Sequence, residues 1–233
     1  DPGCVAAVAE LERLREQYKD DGTVVDFGTQ QAANVKQQLV KRFNFADPES
    51  DLTGGTVVPG HKGRALELTG KGAVYKADSS NPRNPALKPI VLGGWVYPQK
   101  ETGVILAQGG EGQGYSLYLQ AGAPVFAVRS SGTLKQLVGP KIPLEKWTHL
   151  VAVLAADGTG TLYLDGKLAG KPAKLHLVSS QPADNLNLGA DAGSLVGDYD
   201  NPLPFVGKLE DVRLYWGTLR SKLIPAWSKP PGE

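Results

Sequence analysis

The sequence predicts an all-β protein, a two-sheet antiparallel jelly-roll sandwich preceded by a short N-terminal helical segment. Three observations carry that expectation. The chain of 233 residues holds 29 Gly and 17 Pro, an excess over ordinary usage that lies mostly in glycine. The punctuation is uneven, with only three of the glycines and two of the prolines before residue 51. After residue 50 the chain repeats one unit, a short apolar or alternating run followed by a turn, with no helical pattern between the runs. Hydrophobic residues make up 41% and charged residues 21%, a balance that excludes a disordered chain. The 25 basic and 24 acidic residues leave a net charge of +1. Bulk charge therefore implies no nucleic-acid partner, although it leaves a local patch open. No apolar run reaches the roughly 20 residues that span a bilayer, so membrane insertion is not expected. The single Cys4 allows no internal disulfide.

The elements follow in order. Residues 1–38 read as a helical lead and linker, and residues 39–233 as the β domain. Asp1 caps a helix with Pro2 at its first position. Val5, Val8, Leu11, Leu14 (or Arg15) and Tyr18 then form a stripe, while Glu10, Glu12, Arg13 and Glu16 take the outer face. Asp20-Asp21-Gly22 ends it. The stripe spans barely two heptads, too few for a coiled-coil dimer, so a monomer is expected and the stripe packs on a neighbouring domain or the sandwich edge. Residues 29–41 are either helical through Ala32, Val35 and Leu39 or irregular. Phe43 and Phe45 alternate with Arg42 and Asn44, which reads as a strand. Ala65 to Leu68 is a short strand before Gly70-Lys71-Gly72. Residues 89–98, apolar on both faces, predict a central, fully covered strand. Residues 115–120 and 124–128 flank a hairpin turn at Ala121-Gly122. Residues 147–155 are expected to be the longest strand. Residues 161–164 meet 167–169 through Asp165-Gly166, a strong two-residue hairpin signal. Residues 185–189 and 208–215 complete the set. Ten or more short strands without intervening helices make a sandwich, and no repeat of propeller length is present.

Five phrases, in order, carry a family resemblance. They are Gly63-Arg64-Ala65-Leu66-Glu67-Leu68, Gly94-Trp95-Val96-Tyr97-Pro98, Trp147-Thr148-His149-Leu150-Val151-Ala152, Leu162-Tyr163-Leu164-Asp165-Gly166 and the run from Phe205 to Tyr215. Together they resemble laminin-G-like, concanavalin-A-like jelly-roll domains over roughly residues 40–220. In the lead, the run from Glu10 to Asp21 is similar to the last helix of bacterial sulfatases, some of which carry such a module behind them. That second likeness implies a hydrolase parent, although the chain lacks the Cys/Ser-x-Pro-x-Arg motif of a sulfatase nucleophile.

Catalysis within the chain is not expected. No Glu-x-Asp-x-Glu strand is present to flank a glycosidic bond, and Glu210 and Asp211, being adjacent, are expected on opposite faces. His61, His149 and His176 lie far apart, and His149 reads as a satisfied structural histidine. No phosphate loop, zinc spacing or nucleophile elbow appears. For a metal, alternation places Asp211 with Leu209, Arg213 and Tyr215, opposite Val212 and Leu214. The resemblance implies a Ca²⁺ site from Asp211 with backbone carbonyls at Asn44 and Gly63, since calcium takes roughly six to eight oxygens. The competing reading pairs Asp211 with Arg213 or Arg42. For a ligand, residues 191–204 form a long loop bearing Asp191, Asp198, Tyr199, Asp200 and Asn201. Its carboxylates and amide suit sugar hydroxyls and Tyr199 offers a stacking face, while the segments 109–113 and 78–84 are candidates for a neighbouring rim. The same loop also reads as a solvated connection held by Asx turns. Trp95 and Trp147 read as core. The resulting expectation is a non-catalytic module of an exported bacterial protein, extracellular or periplasmic, that binds a glycan or a neighbouring protein domain. The alternative is a structural appendage docked on a sulfatase-type catalytic domain.

Overall fold

A computed structural model describes residue 13 and residues 37–45, 52–75, 84–200, 203–218 and 223–229. The helical lead apart from Arg13, Cys4, the 78–83 segment and Asn201 lie outside the described residues. In chain order the first strands are β1 (Gln38–Phe43), β2 (Leu52–Thr53), β3 (Thr56–Pro59), β4 (Arg64–Thr69), β5 (Ala73–Tyr75) and β6 (Ile90–Pro98). Next come β7 (Gly103–Gly109), β8 (Gly114–Gln120), β9 (Ala123–Ser130), β10 (Thr133–Val138) and β11 (Thr148–Leu154). The last are β12 (Thr159–Leu164), β13 (Lys167–Lys174), β14 (Leu186–Leu188) and β15 (Val206–Trp216), followed by a short helix, α1 (Leu223–Ser228). One sheet of eight strands runs β13-β12-β11-β6-β15-β4-β3, with β1 also on β15. The other, of seven, runs β10-β9-β8-β7-β14-β5-β2. Every described pairing is antiparallel. The protein is an all-β, two-sheet antiparallel jelly-roll sandwich.

Alternation explains the layers. Leu92, Val96, Leu150, Ala152 and Leu214 from the first sheet meet Ile105, Tyr115, Leu117, Phe126 and Val128 from the second in one buried core. The opposite residues face outward. Three two-residue turns, Ala121-Gly122, Ser131-Gly132 and Asp165-Gly166, have positive φ at both positions, the geometry that matches the right-handed twist of flanking strands. As expected, β6 is central and almost wholly buried.

Three expectations are corrected. The longest strand is β15, with 11 residues, whereas β11 has seven. The stretch left between helix and irregular structure enters a strand at Gln38, because β1 pairs with the far half of β15 from Trp216 to Val212. Alternation also fails within β15. Leu209 and Val212 both enter the core, the register against β6 shifts between Glu210 and Arg213, and Asp211 has φ +50°. This is a bulge, in which an extra residue changes the phase of the strand. Leu209 therefore faces inward while Arg213 and Tyr215 face outward, and Glu210 and Asp211 leave by the same outer side.

Candidate functional site

The outer face of the eight-stranded sheet is ordered by register into lateral rows. His149 pairs with Trp95 and Thr148 with Val96, which sets Trp147 opposite Tyr97, their rings 5.4 Å apart. Tyr97 pairs with Lys208, and Lys208 with Glu67. One row thus reads Trp147, Tyr97, Lys208, Glu67 and crosses three inter-strand gaps, about 14 Å at about 4.8 Å each. Lys208 Nζ lies 5.7 Å from the Tyr97 ring centre and 3.8 Å from Glu67 Oε1. The exposed His61 stands 6.0 Å from the Trp147 ring and 4.6 Å from that of Trp95. Trp147, Tyr97, Lys208 and Glu67 are all half-buried.

The next row is covered. Glu210, only 4% exposed, accepts the backbone amides of His61 at 2.5 Å and Lys62 at 2.9 Å, which folds the 60–63 turn onto the sheet. Lys62 Nζ sits 3.9 Å over the Trp95 ring and donates to the Ser228 carbonyl at 3.1 Å. His149 is held between Trp95 and Trp227, with ring centres 5.1 and 5.0 Å away. It is fully buried, and neither ring nitrogen has a hydrogen-bond partner among the described residues. The structural role expected of it stands, but the expected satisfaction does not. Burial first, then the charges of Lys62 and Arg213, push its pKa down to about 3 against the pull of Asp211. Beyond it, Ile224 and Trp227 of α1 cover Val91, Val151, Val153 and Tyr215. The helix therefore closes one end of this face, and among the described residues the Trp147–Glu67 row is left half-buried. Trp95 is buried as expected, at 8% exposure, beneath Lys62 and the 60–63 turn, whereas Trp147, also read as core, is half-buried on this outer face, because it alternates with the inward-facing Thr148 and Leu150.

The expected metal residues share one corner. Phe43 pairs with Val212 and Ala65 with Glu210, which brings Asn44, Gly63 and Asp211 around the bulge. Both Asp211 oxygens are occupied by guanidinium groups. Arg42 Nε donates to Oδ1 at 2.7 Å, Arg213 Nε to Oδ1 at 3.0 Å and Arg213 Nη2 to Oδ2 at 2.5 Å. Glu210, the other acid here, faces two amides. No cluster of three or more His, Cys, Asp or Glu suited to a metal occurs among the described residues. As arranged, the donor set does not fit calcium, since cationic groups stand where the ion would be.

The expected ligand loop lies on the outer face of the other sheet. Tyr199 packs edge-on to Tyr118 at 4.6 Å. Its hydroxyl donates to Asp191 Oδ2 at 2.6 Å and lies 2.9 Å from Ser116 Oγ. Asp191 Oδ2 also accepts the Val196 amide at 3.1 Å, and Arg129 Nε donates to the Val196 carbonyl at 2.9 Å. Burial raises the Asp191 pKa, opposed by the bonds from Tyr199 and Val196. Asp198 and Asp200 are exposed. The 109–113 turn abuts this loop, since a Cβ on Gly110 would fall 1.6 Å from Ser194 Oγ. Tyr199→Phe would leave the buried Asp191 carboxylate with the Val196 amide alone. It is expected to lose about 1–3 kcal/mol of stability, read by chemical denaturation, and an unchanged midpoint would mean that the hydroxyl does not hold the loop.

A laminin G-type family model described as the concanavalin A-like lectin/glucanases superfamily matches residues 79–224. Among solved structures, the binding domain of botulinum neurotoxin serotype G aligns with a TM-score of 0.60 at 12% identity, over 82% of this chain and 50% of its own. The binding domain of Paraclostridial mosquitocidal protein 1 aligns at 0.58 and 14% identity, over 76% of this chain and 46% of its own. Domain 4 of AbnA, a GH43 extracellular arabinanase from Geobacillus stearothermophilus solved in complex with arabinotriose, aligns at 0.55 and 20% identity, over 84% of this chain and 100% of its own. The chain spans about half the length of the two toxin binding domains. At these identities the likenesses establish the fold. No curated protein sequence matches the chain.

Proposed function

The chain belongs to the concanavalin A-like lectin/glucanases superfamily, and we propose that it is a non-catalytic module that binds neutral oligosaccharides on the open outer row of its eight-stranded sheet. The observation that carries this reading is the row itself. Trp147 and Tyr97 give adjacent aromatic faces to which the C–H faces of a sugar ring can stack, and Lys208, Glu67 and His61 border them with hydrogen-bonding groups for hydroxyls. Aromatic bodies beside a few placed polar groups are the usual make-up of a small-ligand site. The arrangement also supports a role without catalysis. Glu210 and Asp211, although on one side, have their oxygens engaged by backbone amides and guanidinium groups. A general acid or base needs a free oxygen or proton aimed at the substrate.

A glycan array with the wild-type module tests this. Trp147→Ala and Tyr97→Ala are each expected to weaken binding about tenfold or more, while Asp198→Ala and Asp200→Ala leave it unchanged. Loss of binding in the aspartate variants alone would move the site to the 191–204 loop. Calcium is left out of this reading, so about 5 mM Ca²⁺ against chelator is expected to shift Tm by less than about 1 °C. A rise of several degrees would reinstate Asp211, Asn44 and Gly63 as its ligands.

The module is read as part of an exported bacterial protein, extracellular or periplasmic. The whole-length match to one domain of a larger arabinanase favours the companion reading of an appendage on a hydrolase, with a sulfatase-type enzyme as the named case. Deleting the module from the full-length gene product separates the two. Lost glycan retention with intact turnover supports binding, and lost folding of the neighbouring domain supports docking.

A further inference from the structure

The near-neutral composition conceals one segregated patch. β10 ends the seven-stranded sheet and β13 ends the eight-stranded sheet, and the two edges meet along one side of the sandwich. At one end His176 Nε2 lies 3.2 Å from the Thr133 carbonyl. At the other, a Cβ on Gly170 would lie 3.9 Å from the Val138 carbonyl. The strands therefore run in opposite directions along a seam about 17 Å long, five residue steps of β10. Lys135 and Lys141 flank it from one side and Lys167, Lys171 and Lys174 from the other, all exposed. Lys174 pairs with Asp157 at 3.4 Å. The other four ammonium groups have no carboxylate within ion-pair distance among the described residues, although Glu101 shares with Lys141 the neighbourhood of Gly122.

We propose that the β10–β13 seam is a second binding site, for a linear acidic polysaccharide. An extended polyanion would lay its charges along the two lysine flanks. These lysines gather along one edge although the chain as a whole carries a net charge of only +1. Lysine on an edge strand also discourages strand addition, a role that needs no ligand, and the experiment separates the two. The proposal does not depend on the aromatic row, so Trp147→Ala serves as its control.

Wild-type module is titrated with dextran sulfate, with polygalacturonate and with phosphatidylserine vesicles across a salt series. Binding to one or both polysaccharides is expected, weakening as salt rises. The triple variant Lys135→Gln, Lys167→Gln, Lys171→Gln is expected to bind at least about tenfold more weakly at unchanged Tm. The corresponding triple arginine variant and Trp147→Ala should bind like wild type. Binding to dextran sulfate alone would assign sulfate, and to polygalacturonate alone carboxylate. The proposal is overturned if neither polysaccharide binds, if the glutamine variant binds as well as wild type, or if vesicles alone are bound.

Discussion

Gly93→Ala is expected to destabilise the domain by more than about 4 kcal/mol, enough to leave the module insoluble or unfolded. Gly93 sits in the central strand at φ +152° and pairs with Val151 on one side and Arg213 on the other. A Cβ there would lie 2.1 Å from the Leu150 carbonyl oxygen and 2.7 Å from the Val151 Cα. These are backbone atoms of β11, itself paired on both sides, so no flexible side chain can move away. The close approach has a cause. The bulge at Asp211 on β15 lies against this stretch of β6, and the glycine pair at 93 and 94 lets β6 follow the altered path. A matched control is Gly112→Ala, where the new Cβ meets nothing within 4 Å. Thermal melts followed by circular dichroism check the pair, and a Gly93→Ala protein melting within a few degrees of wild type would contradict this packing.

His149→Phe is expected to flatten the acid side of the stability profile. In the folded protein burial, Lys62 and Arg213 hold His149 near pKa 3, against an ordinary value of 6.5. The folded state therefore resists protonation while the unfolded chain accepts it. Stability from this group is complete above pH 6.5 and is lost as pH falls towards 3, at about 1.4 kcal/mol per unit. Between pH 6.5 and 4.5 the loss is about 2 kcal/mol. Phenylalanine fills the slot between Trp95 and Trp227 without a titrating group or an unpartnered ring nitrogen. The variant should match or exceed wild type at pH 7 and surpass it increasingly at pH 4.5. Denaturant midpoints at the two pH values measure this, and equal acid losses in both proteins would show that His149 is not the sensor. The cost of this buried ring also marks how firmly α1 is seated, since Trp227 forms one wall of its site.

Much of the framework was legible, for local reasons. Asp165-Gly166 and Ala121-Gly122 announce hairpins because a two-residue turn needs positive φ, which glycine takes without strain, and the doubly apolar run at 89–98 reads as a strand covered on both faces. The strand β10, with Lys135 and Gln136 in it, escaped notice because an edge strand needs little apolar surface. β7 starts and ends on glycines, Gly103 and Gly109, and so carries no clear strand boundary in the sequence. The bulge was misread because strict alternation assumes two residues per repeat, and an aspartate, although it tolerates the left-handed conformation better than most side chains, does not by itself mark one. Gly93-Gly94 opposite it was the available signal. The aromatic row was missed for a different reason. Alternation shows that Trp147 and Tyr97 share a face with Trp95 and His149, but not that α1 and the 60–63 turn cover only part of that face. Coverage is set by segments far away in sequence, which periodicity along one strand does not reveal.

The most direct test of glycan binding on that row uses the four tryptophans of the chain, which give four indole N–H signals in a ¹⁵N correlation spectrum. The best oligosaccharide from the array is titrated into the labelled module. Binding at the row predicts a saturating shift of the Trp147 signal while Trp216, on the core side of β15, stays still. Saturable binding with Trp147 unmoved and the shifts confined to residues 191–200 would contradict it.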